Sequence, residues 1–196
     1  MSHIRKLDNT SSLKSYKNMM EEMNRICNEH NIDMGSYGAQ VCLTDIEENS
    51  DNILRGYGSL AWDISHDEEG NLIKTRRENI MKDVQFCYLC NQFKGTIFEE
   101  IFNALSEDYL VGRTRIMVME PKQCLLWHHD ASPRIHYPFK TQEGCFMVIL
   151  DEVKHLKEHT WYYTETRLRH SAFNGSSDRR FHLVASVFDK NQSTVT

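Results

Sequence analysis

Near the start of the chain the apolar positions recur at helical spacing. Leu13, Tyr16, Met19, Met20, Met23, Ile26 and Cys27 repeat every three or four residues with Lys and Glu between them, which predicts an amphipathic helix from Ser12 to His30. Its methionines read as core filler, because a flexible thioether packs irregular gaps. Thr96 followed by Glu99 has the form of a capping box, and it predicts a second helix whose buried side carries Ile97, Phe98, Ile101, Phe102 and Leu105. Between these helices the pattern is less regular. Asp67 to Asn71 reads as a turn and Lys74 to Lys82 as a charged, solvated stretch.

The period changes near residue 110. From Gly112 onward short apolar runs are broken by turn residues, and they predict strands at Thr114 to Glu120, Leu125 to Asp130, Arg134 to Phe139, Cys145 to Leu150, Thr160 to Thr164, Leu168 to Ala172 and Arg180 to Phe188. So many short strands suit a sandwich, barrel or jelly roll. The expectation is a mainly β protein with helices. Residues 1–110 would form a helix-rich extension packing on one sheet, and 111–196 a β core, in a single compact domain.

Composition narrows the class. A chain of 196 residues, 40% hydrophobic, can bury a substantial core. Its formal charge of −5 argues against nucleic acid, since displacing counterions needs a basic face. No apolar run approaches the roughly 20 residues that span a bilayer, and the N-terminus lacks a signal-peptide pattern, so a cytoplasmic protein with no membrane partner is expected. The six cysteines read as reduced thiols. Cys87 and Cys90 form a CxxC, but a structural zinc site would want a second pair at comparable spacing.

The chemistry concentrates in one constellation. His128 and Asp130 are two apart, so on a strand both side chains leave the same face and His129 leaves the other. With His170 they make two imidazoles and one carboxylate, a set that binds Fe(II) on one triangular face and leaves other positions open. His136, His155, His159 and His182 compete for the third place. His155 and His159 lie in a polar loop-like segment, and His182 sits two residues past Arg180 on one strand, a neighbour of the site rather than a ligand. Arg180 lies in an apolar strand, where an inward guanidinium needs an anionic partner and offers a fork that matches a carboxylate. Arg134 and His136 alternate inward on their own strand, towards a second carboxylate or the bound substrate. Trp127, Tyr137, Tyr162 and Tyr163 are candidate pocket walls, and Asn174 and Arg115 candidate substrate contacts.

His128-x-Asp130, then Arg134-Ile135-His136-Tyr137-Pro138, then His170, Asn174, Arg180 and His182-Leu183-Val184 resemble the aspartyl/asparaginyl β-hydroxylase-like branch of the 2-oxoglutarate, Fe(II)-dependent oxygenases. That branch includes free-proline hydroxylases and bacterial and phage-borne proteins. The resemblance covers about residues 110 to 190; residues 1 to 110 carry no matching motif. It implies a double-stranded β-helix, with His128, Asp130 and His170 on iron, Arg180 on the distal carboxylate of 2-oxoglutarate, and Arg134 and His136 near its metal-chelating end. His182 would neighbour the co-substrate, and O₂ would be consumed. Family members that hydroxylate Asp and Asn in protein domains can lack the metal carboxylate. The presence of Asp130 therefore points towards the amino-acid hydroxylases, and away from halogenases, which vacate that position.

The function implied is hydroxylation of a C–H of an amino acid, free or in a peptide. Two alternatives are the same chemistry on a nucleotide or other small metabolite, and a non-catalytic cupin-like binding protein.

Overall fold

The computed structural model describes residues 2–8, 13–34 and 40–190. Ser12, the expected start of the first helix, lies outside them. The helix α1 runs Met19–His30 and ends at Asn31 in the left-handed conformation (φ 53°). Residues 13–18 are not helical because the sheet claims them. The Tyr16 N–H donates to the Tyr137 hydroxyl (2.6 Å), and the Trp161 indole donates to the Lys14 carbonyl (3.0 Å). Leu13 and Tyr16 are buried all the same. Helix α2 runs Ile97–Asp108, with the Thr96 side chain accepting from the Phe98 N–H. Glu99 reaches back past Thr96 to the Gly95 N–H (2.7 Å), so the capping box closes one residue early.

The described residues also form fourteen strands: β1 (Ile4–Lys6), β2 (Gln40–Cys42), β3 (Thr44–Asp45), β4 (Trp62–His66), β5 (Leu72–Arg76), β6 (Tyr88–Leu89), β7 (Leu110–Met119), β8 (Gln123–Cys124), β9 (Arg134–Lys140), β10 (Cys145–Ile149), β11 (Glu152–Lys154), β12 (Tyr162–Thr164), β13 (His170–Asn174) and β14 (Arg180–Phe188). The large sheet has the order β1-β12-β9-β14-β7-β2, and a four-stranded sheet the order β11-β10-β13-β8. From β7 to β14 the chain passes back and forth between these two antiparallel sheets. That path is a double-stranded β-helix, the mainly β architecture expected. The first 110 residues also contribute strands, since β1 and β2 extend the large sheet at its two edges. A small ladder pairs β3 with β6, and β4 pairs with β5 around the turn at Asp67 to Asn71. The charged segment expected to be merely solvated thus begins inside β5, whose residues are all exposed.

The large sheet is buried on both faces, and the faces differ. On β14, Phe181, Leu183, Ala185 and Val187 point to the helices; Ile135, Tyr137 and Phe139 of β9 and Ile116 and Val118 of β7 do the same. These residues form one core with Met19, Met23 and Ile26 of α1 and Phe98, Ile101 and Leu105 of α2. The alternate residues face the second sheet and are largely polar: Arg113 and Arg115 on β7, Arg134 and His136 on β9, Arg180, His182 and Ser186 on β14, all buried. A smaller apolar cluster of Ile4, Met147, Ile149, Leu156 and Tyr162 fills part of the space between the sheets. The larger hydrophobic core therefore lies outside the barrel, and the interior beyond the smaller cluster is left for polar groups.

Four aromatic residues were candidate pocket walls, and alternation separates them. Tyr137 stacks in the helix-side core, 4.4 Å from Trp161 between ring centroids, and Tyr163 packs on the same side. Trp127 is 48% exposed, with Arg169 over its ring. Tyr162 alone of the four is in the cluster between the sheets.

All six cysteines are free, and burial pushes the Cys90 thiol up to about 12. No helix among the described residues is long and apolar enough to cross a membrane.

Gly112 of β7 lies against the backbone of Asp83, in a single 3-10 turn at Asp83–Gln85. A Cβ there would collide with the Asp83 carbonyl oxygen. Gly112→Ala is expected to destabilise the fold by about 1–3 kcal/mol, the usual cost of overpacking, read as a lowered urea midpoint at unchanged m-value.

Candidate metal centre

His128 and Asp130 lie in the irregular segment between β8 and β9, not on a continuous strand. The expected strand from Leu125 to Asp130 is replaced by spaced bonds to the neighbouring chain. Leu125 N–H donates to Ala172 O (2.9 Å), His128 and His170 exchange backbone bonds (3.0 and 2.9 Å), and Asp130 N–H donates to Thr166 O (2.9 Å). The segment has no ladder on its other side, so only β8 remains a regular strand. Tertiary hydrogen bonds, rather than strand alternation, bring His128 and Asp130 to one side.

His170 opens β13 and stands next to His128, with ring centroids 4.1 Å apart. One ligand atom from each of His128, Asp130 and His170 falls within a group whose members are all within 4.8 Å of one another. Both imidazoles are oriented by backbone carbonyls. His128 Nδ1 lies 2.7 Å from Leu126 O, and His170 Nδ1 2.9 Å from Leu168 O. As donors there, the two Nδ1 atoms leave each Nε2 with its lone pair free, the arrangement metal-ligating histidines use. His170 Nε2 is 3.6 Å from Asp130 Oδ2. Burial holds the His170 imidazole below its ordinary pKa, and so in the neutral form a metal requires. Two neutral imidazoles and a carboxylate suit Fe(II), Mn(II) or Zn(II), and the residues fit the ion that the sequence implies. His129 is exposed, with Nδ1 at 3.1 Å from Arg167 O, outside this group.

Arg134 is committed to the protein. Its Nε donates to Asp130 Oδ2 (3.1 Å), Nη1 to Ser132 Oγ (3.1 Å) and to Ser186 Oγ, and Nη2 to Asp83 Oδ2 (3.0 Å). Asp83 also holds Arg113 (2.7 Å), which makes a buried chain Arg113–Asp83–Arg134–Asp130. Burial alone would push the Asp130 carboxyl up, yet the Arg134 charge and hydrogen bond hold it at about 2. Arg134 therefore fixes the carboxylate's rotamer and charge. Nothing in the motif pointed to Asp83, because it follows a charged stretch that reads as solvated surface. Arg115 did carry a signal, as an arginine on a predicted strand, whereas Arg113 falls one residue before the start predicted for that strand.

Further along the same face, His136 and His182 meet edge to face at 5.8 Å. Neither ring nitrogen of either histidine has a hydrogen-bond partner among the described residues. Burial, then the Arg180 charge, lowers His136 to about 3 and takes His182 well below its ordinary value. Arg180 is 7% exposed, its Nε has no partner, and no acid among the described residues pairs with it. Burial brings its guanidinium down to about 10. A buried cation of this kind calls for an anion from outside the chain. Asn174, two alternations along β13 from His170, is engaged by the protein itself. Its amide donates to Met119 O and Asp178 O, and its Oδ1 accepts from Ser176, which closes the turn before β14.

A family model described as aspartyl/asparaginyl beta-hydroxylase matches residues 14–190. No curated protein matches the chain. Similar solved structures include an oxidoreductase of the 2OG-Fe(II) oxygenase family from Burkholderia pseudomallei, 16% identical, covering 65% of this chain and 73% of that one, with a TM-score of 0.42. A cupin domain from Bordetella pertussis Tohama I is 13% identical, covers 39% of this chain and 80% of its own, and has a TM-score of 0.35. An RmlC-like cupin with a double-stranded beta-helix fold from Methanocaldococcus jannaschii is also 13% identical, over 45% of this chain and 78% of that one, with a TM-score of 0.35.

Two measurements probe this interior. Arg134→Met strips Asp83 and Asp130 of their shared donor, and a loss of about 3–5 kcal/mol is expected in chemical denaturation. His136 and His182 stay neutral in the folded chain but titrate near 6.5 when unfolded, so their stabilisation is full above that pH and falls as pH drops towards about 3. Together they contribute up to about 2.7 kcal/mol per pH unit below the unfolded pKa, and His170, also held down by burial, adds to the slope. Urea titrations in chelator between about pH 7 and pH 5 should show it, and His182→Asn should remove about 1.4 kcal/mol per pH unit of it.

Proposed function

The chain belongs to the aspartyl/asparaginyl β-hydroxylase family, and from that membership we propose that it is a 2-oxoglutarate- and Fe(II)-dependent oxygenase that hydroxylates a C–H of an amino acid, free or in a peptide. One observation carries the reading: two carbonyl-oriented histidines and an arginine-held carboxylate converge in a barrel whose inner face also carries a buried arginine with no acid of its own among the described residues. A metal alone would account for the first three. Arg180 asks for a carboxylate as well.

In this reading His128, Asp130 and His170 hold the iron. When bound, iron and 2-oxoglutarate supply the oxidising power: one O₂ and one 2-oxoglutarate are consumed, a C–H becomes C–OH, and succinate and CO₂ leave. The chain's work is orientation. Arg180 receives the distal carboxylate of 2-oxoglutarate, and burial strengthens that pairing by removing competing water. His136 and His182, neutral and unpartnered, offer a donor and an acceptor each along the path from Arg180 to the metal. Arg134, engaged with Asp130 and Asp83, keeps one ligand charged and still and contributes no fork to the co-substrate.

The test is succinate release from 2-oxoglutarate with Fe(II) and ascorbate, first without and then with an amino-acid mixture. The wild type should turn over slowly and be stimulated by the mixture, and His128→Ala should release nothing. Arg180→Met should weaken 2-oxoglutarate by roughly tenfold to a hundredfold, the loss of a charged hydrogen-bonded pair. Absence of both turnover and 2-oxoglutarate binding would sink the proposal, while binding without turnover would favour a non-catalytic cupin-like protein.

A further inference from the structure

Four arginines are buried on the inner face of the large sheet, and two of them are matched by acids. Arg113 pairs with Asp83, and Arg134 with Asp83 and Asp130. Arg180 and Arg115 have no carboxylate among the described residues. If Arg180 is taken by the co-substrate, Arg115 is left as a buried cation with nothing to neutralise it.

Its surroundings define what it can take. Arg115 is 6% exposed. Its Nη1 donates to Gln40 Oε1 (2.6 Å), which also accepts from the Gly58 N–H (3.3 Å). Its Nε is buried without a partner. With Nη1 pinned by Gln40, the Nε edge of the guanidinium, two parallel donors, remains open, and that edge matches a carboxylate bidentately. The location separates this fork from Arg180. Arg115 lies opposite Val184, which in turn lies opposite His136, so the three share one row across the inner face. Val184 follows Arg180 by four residues on β14, about 13 Å along the strand, so one carboxylate cannot serve both arginines. Arg115 is on the metal side of that span, near enough to help lower the Asp130 carboxyl.

We propose that Arg115, positioned by Gln40, is a second anion site that holds a free carboxylate of the substrate beside the metal. The inference rests on the oxygenase reading and narrows its substrate to a molecule with a carboxylate in addition to the C–H attacked. Two sources share this chemistry: the α-carboxylate of a free amino acid, and an acidic side chain. Gln40 belongs to β2, so the N-terminal region supplies part of the recognition.

Ligand-observed NMR on the full chain loaded with Zn(II), which cannot turn over, tests this with and without 2-oxoglutarate. The probes are the twenty L-amino acids as free acids and as C-terminal carboxamides. At least one free acid should bind, and an α-carboxylate source predicts its carboxamide roughly tenfold to a hundredfold weaker. An acidic side chain as the source predicts instead that only aspartate and glutamate bind, in both forms. Arg115→Gln should abolish either pattern, and Arg180→Gln should lose 2-oxoglutarate but keep the amino acid. Gln40→Glu, which sets an internal anion against the Arg115 fork, should reproduce the loss if Arg115→Gln does not fold. Binding unchanged in both variants, equal binding of neutral amino acids and their amides, or no free acid bound under either condition overturns the proposal. A wild-type chain that binds the free acid but no 2-oxoglutarate would instead overturn the oxygenase reading and leave the Arg115 result standing.

Discussion

The buried ionic chain that runs from Arg113 through Asp83 and Arg134 to Asp130 governs the rest of the molecule. Charges taken out of water are costly, and each is tolerated only while its partner is held in place. Arg113 comes from β7, Asp83 from the turn ahead of α2, Arg134 from β9, and Asp130 from the loop between the sheets. One network therefore ties the edge of the barrel to the carboxylate of the candidate metal centre. It also explains why the protein keeps its hydrophobic core on the far side of the large sheet. An apolar barrel interior would leave these groups unsolvated and unpaired; a polar interior lets them satisfy one another, and the helices provide the apolar burial that holds the sheet together.

How far the sequence could be read depended on which physical signal each part carried. β14 was legible from Arg180 to Phe188, because Arg180, His182 and Ser186 fall at alternate-face positions of an otherwise apolar run, with Val184 and the terminal Phe188 breaking the pattern. Alternation also assigned Arg134 and His136 to one face, and the same rule places Tyr137 on the other. Treating Tyr137 as a pocket wall broke that parity, and the structure puts it against Tyr16 and Trp161. His128 and Asp130 were found by their chemistry, although the strand invoked to align them is not there. Strands of two or three residues, such as β1, β2 and β6, leave no period to detect. Asp83 was invisible for another reason, since only the tertiary fold turns an acid beside a charged stretch into a buried one.

The N-terminal region is structurally inseparable from the barrel. β1 pairs with β12 and β2 with β7, so both edges of the eight-stranded core's large sheet are covered by residues that precede it in the chain. The sheet's outer edges are then β1 and β2, three residues each, and short edge strands are poor templates for a foreign strand. The family match over residues 14–190 agrees with this integration, since it extends well ahead of the motif-bearing strands.

The central position of β14 carries a consequence for biosynthesis. It pairs with β7 on one side and β9 on the other, yet it is the last strand in chain order among the described residues. A growing chain can form its helices and hairpins early, but the large sheet remains split in two until residue 188 is available. Until then β7 and β9 expose unpaired edges, the condition in which nascent β proteins are most prone to associate. The same nine residues bring the apolar face that completes the core and the arginine and histidine that complete the interior. Folding and acquisition of the site are thus a single late event, and a truncated chain would have neither.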